Sequence, residues 1–263
     1  MPNRKQRGRT RRVFVQRHGP EGHRRRPDEL IVEEPLSIQL DGTLVATTMR
    51  TPGNDYELAV GFLHAEGMLA GAPVTSVRYC ADGSAVDSQF NIVTVETNGK
   101  APTPTPRLGS TTSSCGICGA DAIDELTTRL EPLTAEPFDP LLLADVADRV
   151  RSEQELFDKT GAVHAAAAFN RAGSIISVRE DIGRHNAVDK IVGRMIIDGE
   201  EPQGQLGLYV SGRASFEIVQ KAWAGGFGTV VSVSAPSALA AETAAAGNLQ
   251  LAGFIRNGEI NVY

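Results

Sequence analysis

The sequence predicts an α/β protein in two parts, a small N-terminal α+β domain followed by a three-layer α/β/α C-terminal domain. Three observations carry that expectation. The second half alternates apolar strand-like runs with amphipathic segments of about ten residues, the pattern of a sheet covered by helices. The first half shows short hairpin-like runs around one helix. Between them, residues 101–106 hold three prolines and residues 110–114 are all Ser or Thr, a stretch unable to serve as a central strand. With 263 residues, 41% hydrophobic and 22% charged, the chain can bury the core such a fold needs.

Residues 1–27 read as a basic flexible tail, because residues 1–26 carry ten of the 26 Lys and Arg residues and a single acid, Glu21. The N-terminal domain is placed at 28–100. Residues 30–32 and 36–40 suit strands interrupted by Pro35, and Asp41-Gly42 is a hairpin turn into a returning strand over 43–49. Asp55 is positioned to cap a helix over 56–66, with Leu58, Phe62 and Leu63 as its apolar stripe. Further strands are expected over 74–79 and 91–95. Residues 101–135 form a mobile linker that carries Cys115-Gly116-Ile117-Cys118.

The C-terminal domain is placed at 136–263. Asp139-Pro140 pairs an N-cap with a proline in the first helical turn and opens a helix to about residue 156. Strands over 164–169 and 174–179 flank the turn Asn170-Arg171-Ala172-Gly173. Helices over 186–198, 215–225 and 238–246 then alternate with strands over 206–210, 229–233 and 249–255, and a last strand follows Asn257-Gly258.

Charge and cysteine usage exclude several classes. Beyond residue 26 the chain holds 16 basic against 31 acidic side chains, a net −15, which opposes nucleic-acid binding by the body. No apolar run approaches the ~20 residues of a membrane span. Three cysteines make no disulfide framework, and a cytoplasmic protein is expected.

Two patterns could carry chemistry. Cys115 and Cys118 are flanked by glycines and approached through a polar linker, with no nearby His or further Cys to complete a zinc site. No bound metal is expected. An accessible thiol on such a segment suits sulfur or group transfer by a persulfide. The alternative is a zinc-dependent deaminase, since His64-Ala65-Glu66 followed by C-x-x-C echoes its signature. Ser114 stands where that signature has proline, and the linker occupies the place of a core strand and helix.

The second pattern is a set of strand-to-helix junctions, Arg184-His185-Asn186 after residue 183, Ser211-Gly212-Arg213, and Ser234-Ala235-Pro236-Ser237. In an open α/β sheet such turns gather beyond the strands' carboxyl ends, and helix N-termini beside arginines attract phosphate. His185 reads equally as a proton shuttle or a structural hydrogen-bonding residue.

Taken together, Glu33-Glu34-Pro35-Leu36, Met49-Arg50-Thr51-Pro52-Gly53, Glu57 to Leu63, Ser114 to Gly119, Asp181-Ile182-Gly183-Arg184-His185-Asn186-Ala187-Val188-Asp189-Lys190, Ser211-Gly212-Arg213 and Gly253-Phe254-Ile255-Arg256 resemble the formate dehydrogenase accessory sulfurtransferases, the FdhD family. The resemblance runs in order from about residue 28 to the end. It implies an enzyme that takes persulfide sulfur from a cysteine desulfurase and passes it to a molybdenum cofactor, the bis(molybdopterin guanine dinucleotide) form, for formate dehydrogenase. It implies Cys115 as the persulfide carrier with Cys118 as helper, and cofactor contacts along Phe254, Ile255, Arg256, Asn257, Gly258 and Glu259. It further implies a homodimer and a C-terminal domain of the cytidine deaminase fold. A non-catalytic chaperone for the molybdenum cofactor would use the same anion-binding turns without Cys115.

Overall fold

The computed structural model describes residues 8–20, 22–80, 84–86, 88–104 and 119–263. Cys115 and Cys118 lie outside the described residues.

Strands β1 (Thr10–Gly19) and β2 (Gly22–Ile31) pair antiparallel over their whole length, from Thr10 opposite Ile31 to Gly19 opposite Gly22. The expected tail is therefore, over residues 10–31, a two-stranded ribbon. Its strand signal, Val13-Phe14-Val15, is short and embedded in arginines, so composition concealed it. Its root is tied down where Val32 N–H donates to the Arg9 carbonyl at 2.9 Å and Arg9 Nη2 donates to the Glu180 carbonyl at 3.4 Å.

The N-terminal unit continues with β3 (Glu34–Leu40), β4 (Thr43–Arg50), α1 (Asp55–Ala65), β5 (Ser76–Tyr79) and β6 (Ile92–Glu96). They form a four-stranded sheet in the order β4-β3-β6-β5. Pro35 does not break β3, because it sits near the strand's start and faces Met49 across the ladder. Leu58, Val60 and Leu63 of α1 pack on Leu36, Ile38, Val93 and Val95. Asp55 does not cap α1. Its carboxylate is claimed by Arg50 (2.9 and 3.2 Å), by Gly53 N–H (3.1 Å) and by the Tyr79 hydroxyl (3.2 Å), while Asn54 occupies the cap position with φ 57°.

Helix α2 (Gly119–Arg129) lies inside the span expected to be linker. It is held by Arg129, which donates to the Ala65 carbonyl at 3.0 Å, and by Leu126 in the core. The segment 139–156 is two helices, α3 (Pro140–Arg151) and α4 (Glu155–Thr160). Asp139 caps α3 as expected, accepting from Leu141 N–H at 2.9 Å. The break is tertiary: the Glu180 carboxylate accepts from Leu156 and Phe157 N–H, both at 2.8 Å, and so starts a new helix.

The remaining elements are β7 (His164–Phe169), β8 (Ile175–Asp181), α5 (Arg184–Asp198), β9 (Gly207–Val210), α6 (Phe216–Ala224), β10 (Thr229–Ser232), α7 (Ala238–Ala246), β11 (Gln250–Arg256) and β12 (Glu259–Val262). Six of them form a mixed sheet in the order β12-β11-β10-β9-β7-β8, with β9, β10 and β11 parallel. Helices α5, α6 and α7 bury Val188, Ile191, Val219, Trp223 and Ala240 on one face. Helix α3 covers the other with Leu143, Val146 and Val150 against Phe169, Tyr209 and Ile255. The second unit is thus three-layered, α/β/α.

The two units meet helix to helix. A Cβ at Gly61 of α1 would lie 1.9 Å from the Asp189 carbonyl oxygen of α5, and one at Gly193 would lie 1.8 Å from that of Glu57. Only glycines allow these backbones to approach so closely.

Candidate anion site at the carboxyl edge of the sheet

Strand β7 is antiparallel to both β8 and β9, and β9, β10 and β11 are parallel. The carboxyl ends of β8, β9, β10 and β11 therefore share one edge with the start of β7. From β8 to β11 that edge spans four strand spacings, roughly 19 Å, which suits an extended ligand.

The β8–α5 junction is built around a buried ion pair. Asp181 and Lys190 are both 0% exposed, and their charges meet at 2.7 Å. The Asp181 carboxylate also accepts from Thr51 N–H (3.1 Å), Gly183 N–H (2.9 Å) and Asn186 Nδ2 (3.0 Å). Asn186 Nδ2 donates to the Met49 carbonyl at 2.7 Å, and Lys190 Nζ to that of Thr51 at 3.1 Å. Three polar residues of the Asp181–Lys190 motif thus clasp the loop after β4, leaving Arg184 and His185 between them at the site edge.

Arg184 lies across Gly212, whose absent side chain gives it room: a Cβ there would be 3.2 Å from Arg184 Cδ. Arg184 Nε is buried without a hydrogen-bond partner among the described residues, a donor that an anion would satisfy. His164, at the start of β7, has Nδ1 3.3 Å from Ser211 Oγ, and Ser211 Oγ accepts from Ala165 N–H at 2.9 Å. His185 Nε2 is 3.5 Å from Ser215 Oγ and 4.0 Å from Glu217. Burial, then Arg184, holds His164 below the usual imidazole range. Burial, with Arg184 and Lys221, drives His185 down to about 4 against the opposing Glu217 charge. Both rings are neutral hydrogen-bonding groups at pH 7. Burial pushes Glu217 upward, but the Ser215 hydroxyl, its own backbone N–H, His185 and Arg184 leave it net below the ordinary carboxyl value.

The exposed Arg213 lies in the turn between β9 and α6. Ser232 Oγ lies 2.7 Å from the Gly212 carbonyl and 3.0 Å from that of Ser234, binding this turn to the next. Phe254 N–H donates to the Ser234 carbonyl at 3.2 Å, which continues the edge to β11. Phe254 itself is 49% exposed with φ 57°, a left-handed conformation rare for a bulky side chain and common at functional sites. The ladder slips between Gly253 and Arg256 there. Arg256, Asn257, Gly258 and Glu259 form an exposed hairpin end, whereas Ile255 is buried beneath α3 and faces the core. A cleft of about 440 Å³ opens beside this edge, lined among others by Arg151, Phe157, His164, Ile182, Tyr209 and Ser211.

The structure thus brings Arg184, His185, Ser211, Gly212, Arg213 and the Phe254–Glu259 hairpin to one edge. Sequence reasoning missed His164, Ser215 and Glu217. A His opening a strand and a Glu in a helix's first turn were the available signals, and neither is distinctive alone. His64 is engaged elsewhere, with Nε2 2.7 Å from the Ala224 carbonyl.

A family model described as the FdhD/NarQ family matches residues 31–263. The chain belongs to the FdhD/NarQ family. It is 48% identical over 248 residues to the sulfur carrier protein FdhD of Streptomyces coelicolor, covering 90% of this chain and 88% of that one. With the sulfur carrier protein FdhD of Mycobacterium tuberculosis it shares 43% identity over 253 residues, covering 90% of each. A crystal structure described as a formate dehydrogenase accessory protein from Desulfotalea psychrophila superposes with a TM-score of 0.76 at 21% identity, over 97% of this chain and 96% of that one. The FdhD/NarQ fold is therefore the one described above.

Proposed function

We propose that this member of the FdhD/NarQ family is a sulfur carrier that serves formate dehydrogenase, with Cys115 as the carrier thiol and the molybdenum cofactor as its substrate. The relatives named sulfur carrier protein FdhD support the coarse role. The observation that carries the substrate is the continuous edge from Arg184 to Glu259, with a buried guanidinium nitrogen that has no partner among the described residues on one side and an exposed aromatic ring on the other.

In this reading the Cys115 thiolate attacks the terminal sulfur of a cysteine desulfurase persulfide, forming Cys115–S–S⁻ and releasing the desulfurase thiolate. Cys118, three residues on, attacks the Cys115 sulfur and expels the outer sulfur as hydrosulfide toward the cofactor. A Cys115–Cys118 disulfide remains, which a dithiol reductant reopens. Arg184 and Arg213 hold the pyrophosphates of the bis(molybdopterin guanine dinucleotide), and the neutral His164 and His185 supply hydrogen bonds without adding charge. The zinc-deaminase alternative is not favoured, because the relatives are named sulfur carrier protein FdhD.

The test is intact-mass spectrometry after incubation with a cysteine desulfurase and cysteine. The wild type gains the mass of one sulfur on the Cys115 peptide, and Cys115→Ala gains none. Equal loading of Cys115→Ala, or a Cys115→Ala protein that still activates formate dehydrogenase, returns the reading to the cofactor-binding chaperone.

A further inference from the structure

The cleft on the α3–α4 side of the sheet edge holds two polar side chains that the fold leaves unused. Gln154 is 4% exposed and Tyr209 3%, and both line the cleft. Neither side chain makes a hydrogen bond among the described residues. For Gln154 the reason is local. It stands at the cap position of α4, but the Glu180 carboxylate already accepts from Leu156 and Phe157 N–H, both at 2.8 Å, so the amide has no helix donor to serve. Tyr209 comes from β9, beneath α3. Burial, with the Asp148 charge, pushes its hydroxyl up to about 12 against the opposing Arg151, so at pH 7 it is a donor. Polar groups this deep are costly to leave unpaired, and a bound molecule would complete them.

The other walls show what kind of molecule fits. Phe157, Val163 and Ile182 line the cleft, and the Arg151 guanidinium stacks over Phe157 at 4.7 Å. Apolar walls carrying an amide and a hydroxyl suit a flat ring with hydrogen-bonding edges. The volume of about 440 Å³ is at the small end of the roughly 300–1,000 Å³ of ligand pockets, which suits one ring system and not a whole dinucleotide. The cleft also opens onto the anion site. His164 and Ser211 belong to both, and a Cβ on Gly212 would lie 3.2 Å from Arg184 Cδ and 3.5 Å from His164 Cε1. We infer that this cleft is the ring pocket of the anion site, taking a fused heterocycle whose ring amide pairs with the Gln154 amide, with Tyr209 donating to a ring acceptor and the attached phosphates on Arg184. The Gln154 amide offers both the donor and the acceptor that such an edge needs. Guanine and pterins share that edge. The inference rests on the proposed function, whose substrate carries both rings, and it makes Gln154 and Tyr209 specificity-determining residues.

The experiment is calorimetric titration of the full-length chain with GDP, pyrophosphate and pterin-6-carboxylate. GDP binds at least about tenfold more tightly than pyrophosphate if guanine is the ring, and pterin-6-carboxylate binds if the pterin is. Gln154→Leu and Tyr209→Phe each weaken the ring compound about tenfold and leave pyrophosphate affinity unchanged. Both variants melt at the wild-type temperature, because neither side chain is bonded within the protein. Arg213→Ala, by contrast, weakens GDP and pyrophosphate alike. A wild type that binds pyrophosphate as tightly as GDP and binds no pterin overturns the inference and leaves the anion edge standing. Ring binding indifferent to both substitutions overturns it as well. A wild type that binds none of the three overturns the anion edge together with the ring pocket.

Discussion

Replacing Lys190 by Met tests whether the Asp181–Lys190 pair holds the two units together. Both side chains are fully buried, and the carboxylate is shared among four donors from two segments of chain, Thr51 and residues 183–190. Removing one member of such a pair leaves an uncompensated buried charge, at a cost of about 3–5 kcal/mol. The remaining N–H donors to Asp181 place the expected loss toward the lower end. For a chain of this size that corresponds to a fall in Tm of roughly 10 °C. Calorimetry, with urea unfolding followed through Trp223, reads the change; Trp223 is the sole tryptophan and is 2% exposed. The double variant Asp181→Asn with Lys190→Met removes both charges and recovers part of the loss, a coupling of about 1–3 kcal/mol. Loss of less than about 1 kcal/mol in Lys190→Met, or simple additivity in the double variant, would refute the reasoning.

Three further outcomes are expected. Gly193→Ala forces a methyl group into the Glu57 carbonyl and should cost about 3 kcal/mol or more, read as a large drop in Tm. Arg213→Ala should weaken GDP binding, a probe for half of the substrate, by about ten- to a hundredfold in calorimetric titration; unchanged affinity removes that turn from the site. His185 titrates near 4 in the fold against 6.5 when free. The unfolded chain therefore takes up its proton first, and stability falls as pH drops from 6.5 toward 4. His185→Gln should flatten that fall by an amount on the order of 1 kcal/mol once solvent screening is counted.

The second unit was legible because its strands and helices carry unambiguous periods. The Asp139-Pro140 cap, the turn at Asn257-Gly258 and the alanine-rich helix over 238–246 all lie where local chemistry puts them. Two of the misreadings come from side chains outside the helix concerned. Asp55 has the right residue type for a cap, but Arg50 and Tyr79 outcompete the helix for its carboxylate. Glu180, at the far end of another strand, decides where α4 begins. The ribbon owes its visibility to backbone pairing rather than to an apolar pattern. At the site, the position of the arginine-bearing turns, as strand-to-helix junctions on one sheet edge, was readable from their local sequence. The roles of Asp181, Asn186 and Lys190 were not, because their partners at Met49 and Thr51 are 130 to 139 residues away.

The central claim is that sulfur travels through Cys115 to a cofactor held on the Arg184–Glu259 edge. It is tested most directly by loading the protein with radioactive sulfur from a desulfurase, adding the molybdenum cofactor and separating protein from cofactor. The account predicts that label leaves the Cys115 peptide and appears on the cofactor, that Cys115→Ala delivers none, and that Arg213→Ala loads normally but delivers slowly. Label that reaches the cofactor equally well through Cys115→Ala would contradict it.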